Sequence, residues 1–448
     1  MKKFENKEEI LEYAKNLENK TALEVLDVQM EYNVKNKGQF GSFMEEKYFG
    51  IKNNNERRLD FHKQGVELKI TPVKQLKNKT YSAKERMSLT MINYMEDHKF
   101  KFEESPLMKK LNILIIFYLW EENLNPNNYR FLKSILYTIP SEDYETIRED
   151  YNIIMNKIRN GKAHELSEAD TLYLSACTKG ANSKSLTDQK FSEVKAKRRA
   201  FAFKNKYMTN LFNNSYKEAF SGEKINKNGE NIALLDLLNL KFKKYFGMSR
   251  EELMNEFKFE STGVKQERAI IISKILEINK KNLNKIEEFQ KANITVKTIL
   301  EKENNTIKED MSFKNFKLKE IIKEKEFEES EWYKIFSETK FLFVVFKKRE
   351  NTYYLDRIKL WNMPISDIET DLRNVWQRTK NTIIEGVILS EKGNKVFNNL
   401  PKKKENDTAH VRSKAKNGKD RDELPDGRMM TKQCLFINNN YIKKQISK

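Results

Sequence analysis

Along Gly65–Ile70 (GVELKI) apolar and polar residues alternate. Successive side chains of a strand point to opposite faces, so Val66, Leu68 and Ile70 take one face and Glu67 and Lys69 the other. Ile113–Trp120 is a continuous apolar run, too short to cross a bilayer and suited to a buried strand. The opening residues, MKKFENKEEILEYAKNLENK, predict a polar amphipathic helix and lack the apolar core and cleavage site of an export signal. In order, the first half of the chain predicts a helix, a hairpin-like strand pair, the long apolar strand, another strand, a helix and a final strand. Helices interleaved with short β-rich runs predict an α/β domain with a mixed sheet.

The same order is written twice. GVELKITP (65–72) matches NITVKTIL (293–300), with Lys69 and Lys297 228 residues apart, and RMSL (86–89) matches DMSF (310–313). NILIIFYLW (112–120) matches KFLFVVFKK (340–348), and YRFLKSILYTIPSED matches YYLDRIKLWNMPISD, with Pro140 and Pro364 224 apart. FAFKNKYM (201–208) matches LFINNNYI (435–442), with Tyr207 and Tyr441 234 apart. Matches that keep their order with only loop-sized shifts predict two related α/β domains. The aperiodic, Gly- and Asn-containing SGEKINKNGENI places their boundary near 215–230, giving domains 1–220 and 221–448, with a helical section, Asn231–Lys285, leading into the second copy.

A length of 448 residues suits two domains, each with its own core. Lys and Arg number 85 against 66 Asp and Glu, a formal charge of +19 that favours a polyanionic partner, nucleic acid first. Charge alone is equally compatible with drift in a Lys- and Asn-rich chain. Only Cys177 and Cys434 occur, which excludes a disulfide framework or zinc cluster within one chain and fits a reducing cytoplasm. His164, in GKAHELSE, has no ligand spacing around it and is read as structural.

Asp60 precedes Glu67 by a turn at FHKQ, which can return its carboxylate beside that of Glu67. Two such oxygens suit Mg²⁺, whose other positions go to water and substrate phosphate, and a neighbouring ammonium, Lys69, completes the groups that phosphodiester hydrolysis needs. By spacing alone, a solvated strand face is the commoner origin of such a triplet. In the second copy Thr295 stands for Glu67 while Lys297 remains and Glu288 falls opposite Asp60, which predicts a metal centre in the first copy only.

KGQFGSFMEEKYFG, Asp60, GVELKITP, Lys109 and CTKGANSK together resemble the MutH family, and within it the GATC-cleaving type II restriction endonucleases of the Sau-three-A type. The resemblance runs from about residue 20 to the C-terminus. It implies two restriction-endonuclease-like domains with mixed central sheets, the first cutting double-stranded DNA and the second inactive, binding DNA and regulating cleavage. It puts Mg²⁺ on Asp60 and Glu67, makes Lys69 catalytic, and adds Glu45 (or its neighbour Glu46) and Lys109 (or Lys110). For DNA it implies Lys37 and Lys179, then Lys197, Arg199 and Lys204 around the aromatic FAF segment, and Arg412 in AHVRSK. Ala202 or Phe203 stands where one relative has a base-contacting tyrosine. Further implied partners are a second DNA site, through dimerisation or looping, and a methyltransferase of the same system; no membrane is implied. The alternatives are a nicking repair enzyme of the MutH kind, which depends on a mismatch-sensing partner and has one such domain, so the duplication argues against it, and a DNA-binding protein without catalysis, which predicts carboxylate loss from both copies.

Overall fold

The computed structural model describes residues 2–26, 28–31, 38–51, 58–180, 185–216, 222–260, 264–279, 283–392 and 395–447. The chain divides into two compact units, one made of Met1–Leu237 with Asn284–Asn293, the other of Leu238–Leu283 with Ile294–Lys448. The change expected at 220/221 therefore falls later. Leu234 still belongs to the first unit, its N–H donating to Thr146 Oγ1 at 3.0 Å. The segment around Glu288 belongs there too, because that carboxylate accepts the N–H groups of Ile225 and Asn226 at 3.0 and 2.9 Å. Glu288, which falls opposite Asp60 in the sequence match, is a buried backbone anchor.

The strands of the first unit are β1 (Glu67–Gln75), β2 (Tyr81–Ala83), β3 (Met87–Met91), β4 (Ile113–Leu119), β5 (Phe131–Tyr137), β6 (Leu174–Thr178), β7 (Leu186–Gln189), β8 (Ser192–Lys197) and β9 (Arg199–Phe203). One sheet runs β2-β1-β4-β5 and a second β3-β9-β6. β1 is parallel to β4, in a register that sets Glu67 by Ile113 and Lys69 by Ile115, and β4 is antiparallel to β5. β4 is apolar throughout because both its faces are covered. On one side Ile10 and Ala14 of the helix Lys7–Lys15 and Phe40 and Met44 of the helix Gln39–Lys47 join a core with Leu68, Leu114, Ile116 and Phe131. On the other, Phe117 meets Phe212 of the helix Asn205–Tyr216 edge-on at 5.0 Å.

The strands of the second unit are β10 (Ile294–Glu301), β11 (Met311–Asn315), β12 (Lys340–Arg349), β13 (Thr352–Trp361), β14 (Leu389–Lys392), β15 (Lys395–Asn398), β16 (Ala409–Ser413), β17 (Arg421–Glu423), β18 (Met429–Thr431) and β19 (Gln433–Ile437). Its sheets run β10-β12-β13 and β11-β19-β16. β10 is parallel to β12 with Thr295 by Phe341 and Lys297 by Phe343, and β12 is antiparallel to β13. Both members of each parallel pair thus lie 228 residues beyond those of the first unit. The antiparallel partners also break register at matching points, between Phe117 and Tyr118 in one unit and Val345 and Phe346 in the other. The turn into each first strand passes through a positive φ, +70° at Gly65 and +53° at Asn293, a conformation open to Gly and tolerated by Asn. A tyrosine–aspartate bond recurs as well. Tyr207 donates to Asp143 at 2.9 Å and Tyr441 to Asp367 at 2.6 Å.

Candidate active site

Phe61 and Val66 pair across the turn His62–Gly65, which brings Asp60 back onto the start of β1. There Asp60 Oδ2 accepts the N–H of Leu68 at 2.8 Å. Glu67 opens β1 with its side chain on the polar face, yet only 4% of the residue is exposed. Two ammonium groups offset that burial. Lys69 Nζ lies 2.7 Å from Glu67 Oε1, and Lys110 Nζ lies 3.1 and 3.3 Å from the two carboxylate oxygens.

Asp60 and Glu45 are less well compensated. Burial raises the Asp60 carboxyl above its ordinary range and the charge of Glu67 raises it further, against the Leu68 N–H and the cations Lys69 and Lys110. Glu45, on the helix Gln39–Lys47, is raised by burial and then by Asp60, with Lys69 opposing. Glu46 turns outward to Lys47 at 2.7 Å. Asp60, Glu67, Lys69 and Glu45 therefore meet in one place, where excess negative charge is partly withdrawn from water. Such a donor set fits a hard divalent cation. Among the described residues no three His, Cys, Asp or Glu side chains converge tightly enough to cage a metal unaided. Two carboxylates leave most positions of an octahedral ion to water and substrate, the usual arrangement for Mg²⁺.

The lysine of this pair that reaches Glu67 is Lys110, not Lys109. Met108–Lys110 is a 3₁₀ turn in which Lys110 N–H donates to Leu107 O at 2.9 Å. Residues three apart eclipse in such a turn, so Lys110 shares the face of the buried Leu107 while Lys109 faces solvent.

The residues expected on DNA divide sharply. Lys37 lies outside the described residues. Lys179 is exposed at the end of β6, Lys197 is half-buried in β8, and Arg412 is half-exposed, stacked over Phe436 at 4.1 Å and 3.5 Å from Asp310. Arg199 and Lys204 are corrected to structural roles, each only 5% exposed. The Arg199 guanidinium donates to Ala176 O at 2.6 Å and to Leu166 O. Lys204 donates to Thr171 O and stands beside the buried Asp150. Arg199 opens β9, the central strand of its sheet, and Lys204 follows its last residue, and both side chains are turned inward onto backbone carbonyls. His164 bonds the Gln189 amide at 3.1 Å.

In the second unit Lys297 holds the place of Lys69, with Thr295 for Glu67. Its ammonium donates to Ser312 O at 3.2 Å and lies 5.0 Å from the Phe313 ring centroid. Burial and the charge of Lys414 push its pKa down. A signal for Lys110 lay in a further repeat, FEES at 102–105 and again at 327–330. Both copies form a 3₁₀ helix ending in a fully buried serine. β4 then starts eight residues after Ser105, whereas β12 starts ten after Ser330, behind a regular helix, Glu331–Glu338.

A family model described as the DNA mismatch repair enzyme MutH matches residues 49–150, the span that carries Asp60, Glu67, Lys69 and Lys110. The chain is also 35% identical, over 464 aligned positions, to the type II restriction enzyme Sau3AI of Staphylococcus aureus, an alignment covering 90% of this chain and 91% of that one.

Proposed function

Because this chain belongs to the MutH family, among its Sau3AI-type restriction enzymes, we propose that it hydrolyses both strands of double-stranded DNA at GATC with Mg²⁺ as cofactor. The coarser statement, that it is a site-specific deoxyribonuclease, follows from membership. The observation that carries metal-dependent cleavage is Glu67, a nearly buried carboxylate beside Asp60 that is held by two lysines; GATC as the target rests on the family resemblance alone.

Asp60 and Glu67 would hold the ion, and Glu45 adds a third acidic group within electrostatic reach. The chemistry an Mg²⁺ ion held there would supply is Lewis-acid polarisation of the scissile phosphate and charge neutralisation at the leaving oxygen. Lys69 orients the nucleophile or balances charge gathering on the phosphate. Lys110 fixes the Glu67 carboxylate, so its oxygens are oriented before DNA arrives. Exposed Lys179 and half-buried Lys197 take backbone phosphate on the same unit.

The second unit is read as a related domain without chemistry, binding DNA through residues such as Arg412 and regulating cleavage. The shared 228-residue register and the matched breaks between partner strands support that kinship. One centre must serve two strands, so two chains meet on DNA, or one chain acts twice or loops two sites together. A methyltransferase of the same specificity protects the host, and the setting is the cytoplasm. Among the described residues no helix is long and apolar enough to cross a membrane.

The test is cleavage of plasmid DNA of known sequence and methylation by the parent and by Glu67→Ala, with and without Mg²⁺ and with the ends mapped. Ends at GATC from the parent and none from the variant are expected. Undiminished cutting by Glu67→Ala would refute the assignment. Equal rates on circles carrying one and two sites would refute looping.

A further inference from the structure

The strand β4 and the turn before it decide which cation reaches Glu67, and that turn hangs on one buried hydroxyl. Ser105 is 0% exposed. Its N–H and its Oγ both bond Phe102 O, at 3.1 and 2.6 Å, closing the 3₁₀ helix Phe102–Glu104. The same Oγ accepts the N–H of Met108 at 3.1 Å, and Ser105 O accepts the N–H of Lys109 at 3.4 Å. One side chain thus ends one turn and starts the next. Leu107 and Leu111, both buried, peg that second turn into the core, and the 3₁₀ repeat then delivers Lys110 to Glu67.

We propose that Ser105 is a positioning residue for DNA cleavage, setting through its hydroxyl the turn that holds the Lys110 ammonium on the Glu67 carboxylate. The inference rests on the reading of Glu67 as part of the catalytic centre. The second unit shows what the hydroxyl does and does not fix. Ser330 is equally buried and accepts the N–H of Tyr333 at 3.0 Å, so its role as a cap is the same. The helix it starts runs on to Glu338, with Lys334 exposed on it. The serine therefore sets where the turn begins. Only the short Pro106–Asn112 connection converts that into a lysine on a carboxylate.

Loss of a capping hydroxyl also lowers stability, so activity alone does not separate positioning from folding. A double-mutant cycle does. Full-length Ser105→Ala, Lys110→Met, the double variant, Ser105→Thr and Ser330→Ala are compared for single-turnover cleavage at saturating DNA and Mg²⁺, for DNA affinity and for Tm. Ser105→Ala is expected to slow cleavage about 10-fold with DNA affinity unchanged within about 2-fold. Ser105→Thr restores most of the rate. In the Lys110→Met background Ser105→Ala costs less than about 2-fold more. Ser330→Ala lowers Tm comparably and leaves the rate unchanged.

Should Ser105→Ala not fold, Ser105→Cys, near in volume but a poor acceptor, carries the same expectations. The inference is overturned if Ser105→Ala lowers Tm but keeps its rate, if its loss multiplies with that of Lys110→Met, or if Lys110→Met cleaves normally. A Glu67→Ala enzyme that still cuts overturns the catalytic reading itself, whereas an inactive Glu67→Ala beside an unimpaired Ser105→Ala overturns this inference alone.

Discussion

Lys109 and Lys110 are adjacent, identical in chemistry and opposite in setting, so exchanging each for methionine isolates what the turn does. Lys110 Nζ makes two charge-assisted contacts, 3.1 and 3.3 Å, with a carboxylate that is 4% exposed. A hydrogen bond to a charged group is worth about 1.5–3 kcal/mol. Lys69 stays on Oε1 at 2.7 Å, so part of the orientation survives Lys110→Met. The expected fall in single-turnover rate is then about 10- to 100-fold, since each 1.4 kcal/mol is about tenfold. Lys109 is exposed. Substitution at such a position changes stability by under about 0.5 kcal/mol, so Lys109→Met cleaves within about 2-fold of the parent. Quenched-flow cleavage of one GATC duplex, with enzyme and Mg²⁺ in excess, reads both rates directly. A Lys109→Met enzyme slower than Lys110→Met would refute the assignment of the lysine and the turn geometry behind it.

Three further outcomes are expected. The carboxyl of Glu45 is raised by burial and by Asp60, so its ionised form opposes folding. The stability conferred by its proton is full below the unfolded value of about 4.3 and is lost as pH rises through the folded one. Glu45→Gln should raise the Tm of metal-free protein at pH 7 by about 2–4 °C, of order 1 kcal/mol, with the gain shrinking towards pH 4 while cleavage is lost; a gain that grows in acid would reverse the sign. Arg199→Ala should lower stability by about 3 kcal/mol through two orphaned carbonyls, whereas Lys179→Ala should leave Tm unchanged and reduce the salt slope of DNA binding by about 0.9; a DNA defect in folded Arg199→Ala would restore it to the interface. Thr295→Glu in a Glu67→Ala chain should not recover plasmid cutting, and recovery would show that the second unit lacks only that carboxylate.

Strand faces were legible because alternation is a local property. Glu67 and Lys69 opposite Val66 and Leu68, the turn that returns Asp60, and the all-apolar β4 follow from a period of two and from burial. Cation roles were not legible, because a basic residue reads alike whether it faces phosphate or a buried carbonyl. In KAKRRAFAF the distinguishing sign was the aromatic core itself. Every residue of β9 is buried, as suits the central strand of a sheet, so a cation at its edge must find acceptors inside, as Arg199 and Lys204 do. The choice between Lys109 and Lys110 turned on one residue of register in a 3₁₀ turn, which no apolar period fixes. The unit boundary was missed for a related reason. Asn284–Asn293 resembles the approach to β1 in sequence, yet Glu288 and Lys291 bond Ile225, Asn226 and Asp143.

Three separate changes distinguish the surroundings of Lys297 from those of Lys69. Thr295 replaces the carboxylate that would share the lysine's strand face. Glu288, 228 residues on from Asp60, spends its oxygens on two backbone N–H groups. Where the first unit has the turn that delivers Lys110, the second has a regular helix. Each is locally satisfied, since the glutamate is hydrogen-bonded, the serine still caps and Lys297 has Ser312 O as acceptor. A metal centre depends on all its groups at once, whereas the sheet around it needs only apolar faces and register, and those are the features the two units share. On the proposed function, the second unit keeps the frame because the frame also presents DNA-facing cations such as Arg412, and binding phosphate needs positive charge without a metal.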